Sequence, residues 1–126
     1  MAGKLVAESS ESRKPVISEI CSRPIGIEIP GDEMDVFIAK GVKLPYDETK
    51  RYMTIADNQT AFRIVVREGD SEKASENKIV GYEKLRQIPE DLKETRTCIV
   101  RMQMNQSNSV TVEAWEEDKV DNKITM

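Results

Sequence analysis

Histidine is absent from this sequence of 126 residues, and only two cysteines, Cys21 and Cys98, are present. The cysteines lie far apart without a CxxC spacing, which makes a zinc site or a disulfide framework improbable. General acid–base catalysis near neutral pH usually uses histidine or a carboxylate of raised pKa, and the carboxylates here fall in charged stretches such as EGDSEKASE that are typical of solvated loops. We therefore predict a protein that is not an enzyme and that uses no metal or cofactor.

Long apolar runs and an excess of positive charge are also missing. No segment approaches the roughly 20 apolar residues of a membrane helix, and the N-terminus offers only LVA where a signal peptide needs an apolar core of about 7 to 15. The net charge of −4 and the pI near 5.0 argue against nucleic acid, whose phosphates attract clustered Lys and Arg. The expected location is cytoplasmic, with neither nucleic acid nor membrane as a partner.

Short runs of alternating apolar residues are what the chain does contain. A period of two indicates β-strands, because successive side chains of a strand point to opposite faces. Three runs show it clearly, namely Ile25, Ile27 and Ile29; Met34, Val36 and Ile38; and Phe62, Ile64 and Val66. About eight such runs occur, separated by short turn signals, so we expect neighbours to pair as antiparallel hairpins. The pattern predicts an all-β sandwich or barrel.

The two ends of the pattern set the expected domain organisation. Residues 1–18 carry no sustained period and are predicted to form a flexible tail, whereas residues 19–126 form one domain. The segment PEDLKETR has only one apolar side chain and is predicted to be a loop or a single turn. The stripe of Phe62, Ile64 and Val66, taken by itself, is more typical of a core than of a binding site. Tyr52 is expected to approach it across a hairpin turn at Asp57-Asn58.

Several motifs, in their order and spacing, resemble a known family. IGIEI followed by Gly31, then MDVFIAKGVKLP, TIADNQTA, VREGD, NKIVGYEKL and VTVEAWEEDKVDNKIT are similar to the substrate-binding domain of the seventy-kilodalton heat-shock chaperones, the DnaK type. The resemblance extends from about Glu19 to Met126. It implies a sandwich of two four-stranded antiparallel sheets that holds an extended, leucine-rich peptide in a channel between loops, with main-chain hydrogen bonds for affinity and one apolar pocket for selection.

The resemblance also assigns roles to individual positions. It implies a peptide-binding pocket lined by Ile27, Ile29, Tyr52, Phe62 and Ile64. It implies an arch over the peptide backbone made by Pro30 and Ile55, and a contact of Gln59 with the peptide main chain. The expected partners are extended hydrophobic peptides or unfolded proteins, with other chaperones as a further partner class.

Departures from the family pattern change the expected strength of binding. Phe62 stands where the family usually has a valine, and a benzyl group there fills space that a leucine of the peptide would use. Pro30 has no N–H to donate. The linker is reduced to PVISE at residues 15–19, and neither a nucleotide-binding domain nor a helical lid is present in this chain. We therefore expect weakened peptide binding that is independent of ATP and exchanges quickly.

Two hypotheses for function remain open at this point. The first is a chaperone-like module that binds extended apolar segments in a channel. The second is an interaction or scaffold protein that kept the sandwich, lost the groove, and meets its partner through its surface or an edge strand. An open space beside Phe62 would favour the first hypothesis, and a filled one the second.

Overall fold

The computed structural model describes residues 19–126, apart from the side chains of Val120 and Asp121. The predicted tail and degenerate linker at residues 1–18 lie outside the described residues. The eight strands are β1 (Ile25–Ile29), β2 (Glu33–Ile38), β3 (Tyr46–Met53), β4 (Phe62–Glu68), β5 (Lys78–Leu85), β6 (Thr97–Met104), β7 (Val110–Glu116) and β8 (Lys119–Thr125). A single turn of 3₁₀ helix, Ala74–Glu76, is the one helical element of the described part, and no helix there is long and apolar enough to cross a membrane.

The strands form two four-stranded antiparallel sheets. The first has the order β2-β1-β4-β5, and the second has the order β3-β6-β7-β8. The prediction of an all-β sandwich of two such sheets is confirmed. The segment 89–96 contains no helix, as its composition predicted.

The prediction that all neighbouring strands pair as hairpins is wrong for three connections. Strands β1 and β2, β4 and β5, β6 and β7, and β7 and β8 pair, whereas β2 to β3, β3 to β4, and β5 to β6 pass between the sheets. Tyr52 on β3 is paired with Cys98 on β6, and Phe62 on β4 is paired with Leu85 on β5. Residues 54–61 are therefore not a hairpin. The crossing places Tyr52 and Phe62 in opposite sheets.

The core lies between the two sheets. Strand β6 shows strict alternation, with its even-numbered side chains buried and its odd-numbered ones half-exposed. Phe62, Ile64 and Val66 are all buried on one face of β4, as their spacing predicted. Alternating burial of this kind supplies most of the stabilisation of a sandwich, because the inner faces of both sheets interdigitate.

The predicted buried face of β2 is wrong at Val36, because a bulge interrupts the strand. Val36 was expected to share a buried face with Met34 and Ile38, but it is 39% exposed, whereas Phe37 and Ile38 are both buried. The register shifts here, with Ile25 opposite Ile38 and Gly26 opposite Val36. A bulge puts two residues of one strand against one of the other and reverses the alternation beyond it.

Candidate functional site

A cleft of about 950 Å³ opens where the crossing connection between β3 and β4 leaves the sandwich. Its walls come from both sheets, and β6 contributes Cys98 and Val100. All eight residues that the sequence singled out line this one cleft, namely Ile27, Ile29, Pro30, Tyr52, Ile55, Gln59, Phe62 and Ile64. The structure thus brings together side chains from β1, β3, β4 and two loops.

The inner part of the cleft is apolar. Ile27, Phe62 and Ile64 are buried members of the core that also border the cleft, and Tyr52 and Ile29 pack against them half-buried. Ile55, by contrast, is 66% exposed. This gradient from a buried floor to an exposed apolar rim suits a ligand that inserts an apolar side chain and lays its backbone across the mouth.

Phe62 borders the cleft without filling it. Its ring is 7% exposed and belongs to the core between the sheets, so most of the benzyl group packs inward against other side chains. The open volume beside Phe62 is the feature on which the two hypotheses for function differ.

Tyr52 is held as a fixed wall of the cleft. Its hydroxyl donates a hydrogen bond to Asp35 on β2, and the ring lies 6.5 Å from the ring of Phe37 in a stacked arrangement. Lys50 Nζ bonds the same carboxylate at 2.7 Å. Burial and the carboxylate raise the pKa of Tyr52 far above its usual value, so the hydroxyl remains a donor. The sequence did not signal Asp35, since its contact joins strands of different sheets.

Gln59 uses its side chain within its own loop. Its Oε1 accepts a hydrogen bond from the Ile55 N–H at 2.8 Å, and its Nε2 donates to the Ala61 carbonyl at 2.8 Å. Both hydrogen bonds fix the shape of the loop segment that places Ile55 at the rim of the cleft. Satisfying otherwise free backbone groups is a common role of an amide side chain in a loop.

Three charged residues of the cleft walls, Glu28, Arg51 and Arg63, form ion pairs. Arg63 lies 3.5 Å from Glu28, which also pairs with Arg67 at 3.0 Å. Arg51 binds Glu117 through both of its terminal nitrogens. No signal in the sequence assigns these arginines to a site, because a charged residue between apolar strand residues usually lies on a solvent-exposed face.

Cys98 lies buried at the cleft, and burial raises the pKa of its thiol to about 12 from the ordinary 9.0. The neighbouring Glu116 carboxylate adds to this effect. The folded protein therefore keeps a proton that the unfolded chain releases above pH 9. Stability from this group is fully present below pH 9 and is lost as the pH rises toward 12.

We expect the free energy of unfolding to fall as the pH rises above 9 through Cys98, by on the order of 1 kcal/mol per pH unit. Urea titrations at several alkaline pH values measure this slope. Cys98→Val, a variant of similar volume, is the matched control and should show a shallower slope. Equal slopes in the two proteins would contradict the assignment of this loss of stability to the Cys98 thiol.

Among residues 19–126, no group of three or more Cys, Asp or Glu side chains is arranged to hold a metal ion.

The fold and the site define a small all-β sandwich domain with an apolar cleft between its sheets. Across residues 1–126 the sequence matches the family model described as Hsp70 protein. The chain therefore belongs to the Hsp70 family.

Two relatives are named Chaperone protein DnaK and come from two strains of Halobacterium salinarum, ATCC 29341 / DSM 671 / R1 and ATCC 700922 / JCM 11081 / NRC-1. Each is 32% identical to this chain over 109 residues, which cover 86% of the chain. The same stretch covers 17% of each relative, so this chain corresponds to a small part of their length.

Proposed function

We propose that this domain has a chaperone-related role and binds extended hydrophobic segments of unfolded polypeptides in the cleft, without ATP. The single observation that carries the proposal is the meeting around one open cleft of the eight residues that the resemblance singled out. The membership of the Hsp70 family and the names of the DnaK relatives support the same role. Other chaperones are a further partner class, and the expected location is the cytoplasm.

The proposed mode of binding follows from the gradient of burial. An apolar side chain of the peptide enters between Ile27, Phe62 and Ile64, and the ring of Phe62 limits how much of a leucine is buried there. Pro30 and Ile55 face the flanking peptide backbone as an arch. Gln59 keeps the arch segment in place through its two loop hydrogen bonds and contacts the peptide main chain.

Ile55→Asp is the sharpest test of the cleft, because the exposed side chain can change without disturbing the core. We expect about tenfold weaker binding of a labelled leucine-rich heptapeptide, because part of an apolar contact is lost and a charge must be desolvated. Fluorescence anisotropy measures the dissociation constant.

Leu92→Asp is the matched control. Leu92 has the same exposure as Ile55, 66%, but does not border the cleft. The control should bind the heptapeptide as the wild type does. Absence of saturable binding by the wild type, or equal loss in both variants, would count against the cleft as the binding site.

A second candidate function, an interaction or scaffold role, is favoured by a different surface. Strand β5 lies at an edge of the first sheet and carries three exposed apolar side chains, Ile79, Val80 and Tyr82. An exposed edge strand of this kind can pair with a strand of a partner. Heptapeptide titration separates the two functions, since a scaffold without a groove binds no apolar heptapeptide.

A further inference from the structure

Strand β5 is an exposed edge of the first sheet. Among residues 19–126, one side of β5 pairs with β4 and no strand pairs with its other side. Its side chains Ile79, Val80 and Tyr82 are 52%, 42% and 50% exposed. The N–H of Lys84 donates to Glu83 Oε1 at 3.1 Å instead of to a neighbouring strand. An edge with this much apolar surface and an open backbone can accept a further strand.

A bulge at Val80 decides which side chains of β5 share a face. Tyr82 lies opposite Val65 of β4, and Ile79 lies opposite Arg67, with the register shift between the two pairs. The two β4 residues are two positions apart and share a face, so Tyr82 and Ile79 share it as well, although they are three positions apart. A regular strand places the side chains of one face two or four positions apart. A regular strand therefore cannot lie opposite both of these apolar side chains.

The other face of β5 carries two opposite charges. Lys78 and Glu83 are both exposed, and they lie opposite Glu68 and Ile64 of β4. Those two β4 residues are four positions apart and share a face, so Lys78 and Glu83 share the corresponding face of β5. One face of the strand thus presents an isoleucine and a tyrosine, and the other face presents a cation and an anion. Both pairs are centred on the same point of the chain, midway between residues 80 and 81.

A second copy of β5 matches both pairs at once. When two β5 strands run antiparallel about a two-fold axis at this central point, Ile79 of each copy lies opposite Tyr82 of the other. Lys78 of each copy then lies opposite Glu83 of the other, so the charges are complementary. Both strands carry the bulge at the same place, which keeps matching faces together. A shift of the register by one residue would bring opposite faces of the two strands together.

We propose that β5 pairs with β5 of a second copy of this chain and so joins the first sheets of two copies into one sheet of eight strands. The two-fold axis repeats each contact, which gives two Ile79–Tyr82 contacts and two Lys78–Glu83 ion pairs. Two edge strands bury a small interface, below about 1,200 Å², so the dimer is weak and its dissociation constant is micromolar. The proposal names the partner of this edge and does not depend on peptide binding in the cleft.

Charge reversal at either member of the ion pair tests the pairing. Glu83→Lys places two ammonium groups opposite each other on both sides of the axis, and Lys78→Glu does the same with carboxylates. Like charges directly opposite each other in a sheet are destabilising, so we expect each variant to dimerise roughly tenfold more weakly than the wild type. Sedimentation velocity from roughly 1 µM to 1 mM protein, which covers the affinities of weak interfaces, measures the dissociation constant. Both side chains are exposed, so neither change disturbs the core.

An equimolar mixture of the two single variants is the decisive sample. In the mixed dimer, one copy presents two carboxylates and the other presents two ammonium groups, so both cross-strand pairs again have opposite charges. We expect the mixture to dimerise about as tightly as the wild type. The double variant Lys78→Glu with Glu83→Lys should also regain the affinity of the wild type. Recovery in both samples requires that position 78 of one copy faces position 83 of the other, and a mere change of net charge would not produce it.

Glu90→Lys is the matched control, because it makes the same change of charge at an exposed residue outside β5, and it should dimerise as the wild type does. A wild type that stays monomeric at every concentration would overturn the proposal and leave β5 to a strand of another sequence. A mixture no tighter than either single variant, or equal weakening by the control, would also overturn it. Glu83 does not border the cleft, so Glu83→Lys should bind the heptapeptide as the wild type does. A wild type that dimerises but binds no heptapeptide would overturn peptide binding in the cleft and leave the dimer standing.

Discussion

Phe62→Val is expected to tighten the binding of a leucine-rich heptapeptide by roughly 30- to 150-fold. The ring of Phe62 borders the cleft beside Ile27 and Ile64, so removing it extends the open space where an apolar side chain enters. A leucine of the peptide that the ring keeps at the mouth of the cleft can then be buried, which supplies roughly 2 to 3 kcal/mol and gives this range of affinity. Anisotropy of the labelled peptide measures the change, and the peptide itself fills the space that the ring leaves.

The control for this change is Phe37→Val, which removes the same atoms from the other phenylalanine of the chain. Phe37 is buried on β2 but does not border the cleft. Its truncation should lower the melting temperature through the cavity it creates, without tightening peptide binding. If Phe62→Val folds and binds the peptide no more tightly than the wild type, occlusion by Phe62 is wrong.

The strands could be predicted from sequence because each signal is local. Phe62, Ile64 and Val66 recur at a spacing of two and share one face, and one buried face per strand is enough to imply a layered β structure. Which strands pair is a different question. Tyr52 and Phe62 are close in sequence, yet their strands lie in opposite sheets, because the choice depends on apolar faces that meet across the whole domain.

The candidate site was predicted as a set of positions through the resemblance, and the structure gathers that set around one cleft. The residues that support these positions gave no such signal. Asp35 binds Tyr52 from the opposite sheet, and Arg96 reaches Glu116 from a loop of ordinary polar composition. Contacts between distant segments depend on the tertiary fold, which periodicity and spacing within one strand do not encode.

Gly26 is required by a contact between two strands and not by a local turn. We expect Gly26→Ala to lower the free energy of unfolding by about 3 kcal/mol, the upper end of ordinary overpacking costs. A Cβ atom there would lie 2.1 Å from the Asp35 carbonyl oxygen and 2.8 Å from the Val36 Cα. Both are backbone atoms of the paired strand β2 at the bulge, so they cannot move aside as a flexible side chain does. Urea unfolding with a lower midpoint and an unchanged slope measures the effect.

Gly81→Ala is the matched control, because Gly81 also lies in a strand of the first sheet. A Cβ atom there meets the Val66 side chain at 3.6 Å, an ordinary van der Waals contact. The change should be neutral or stabilise by about 0.4 to 1 kcal/mol, since alanine restricts the unfolded chain. Similar effects at the two glycines would contradict the close approach of β1 and β2 at the bulge. A large loss at Gly26 alone would show that this glycine is required by the backbone contact, which also sets the register of Ile27 at the cleft.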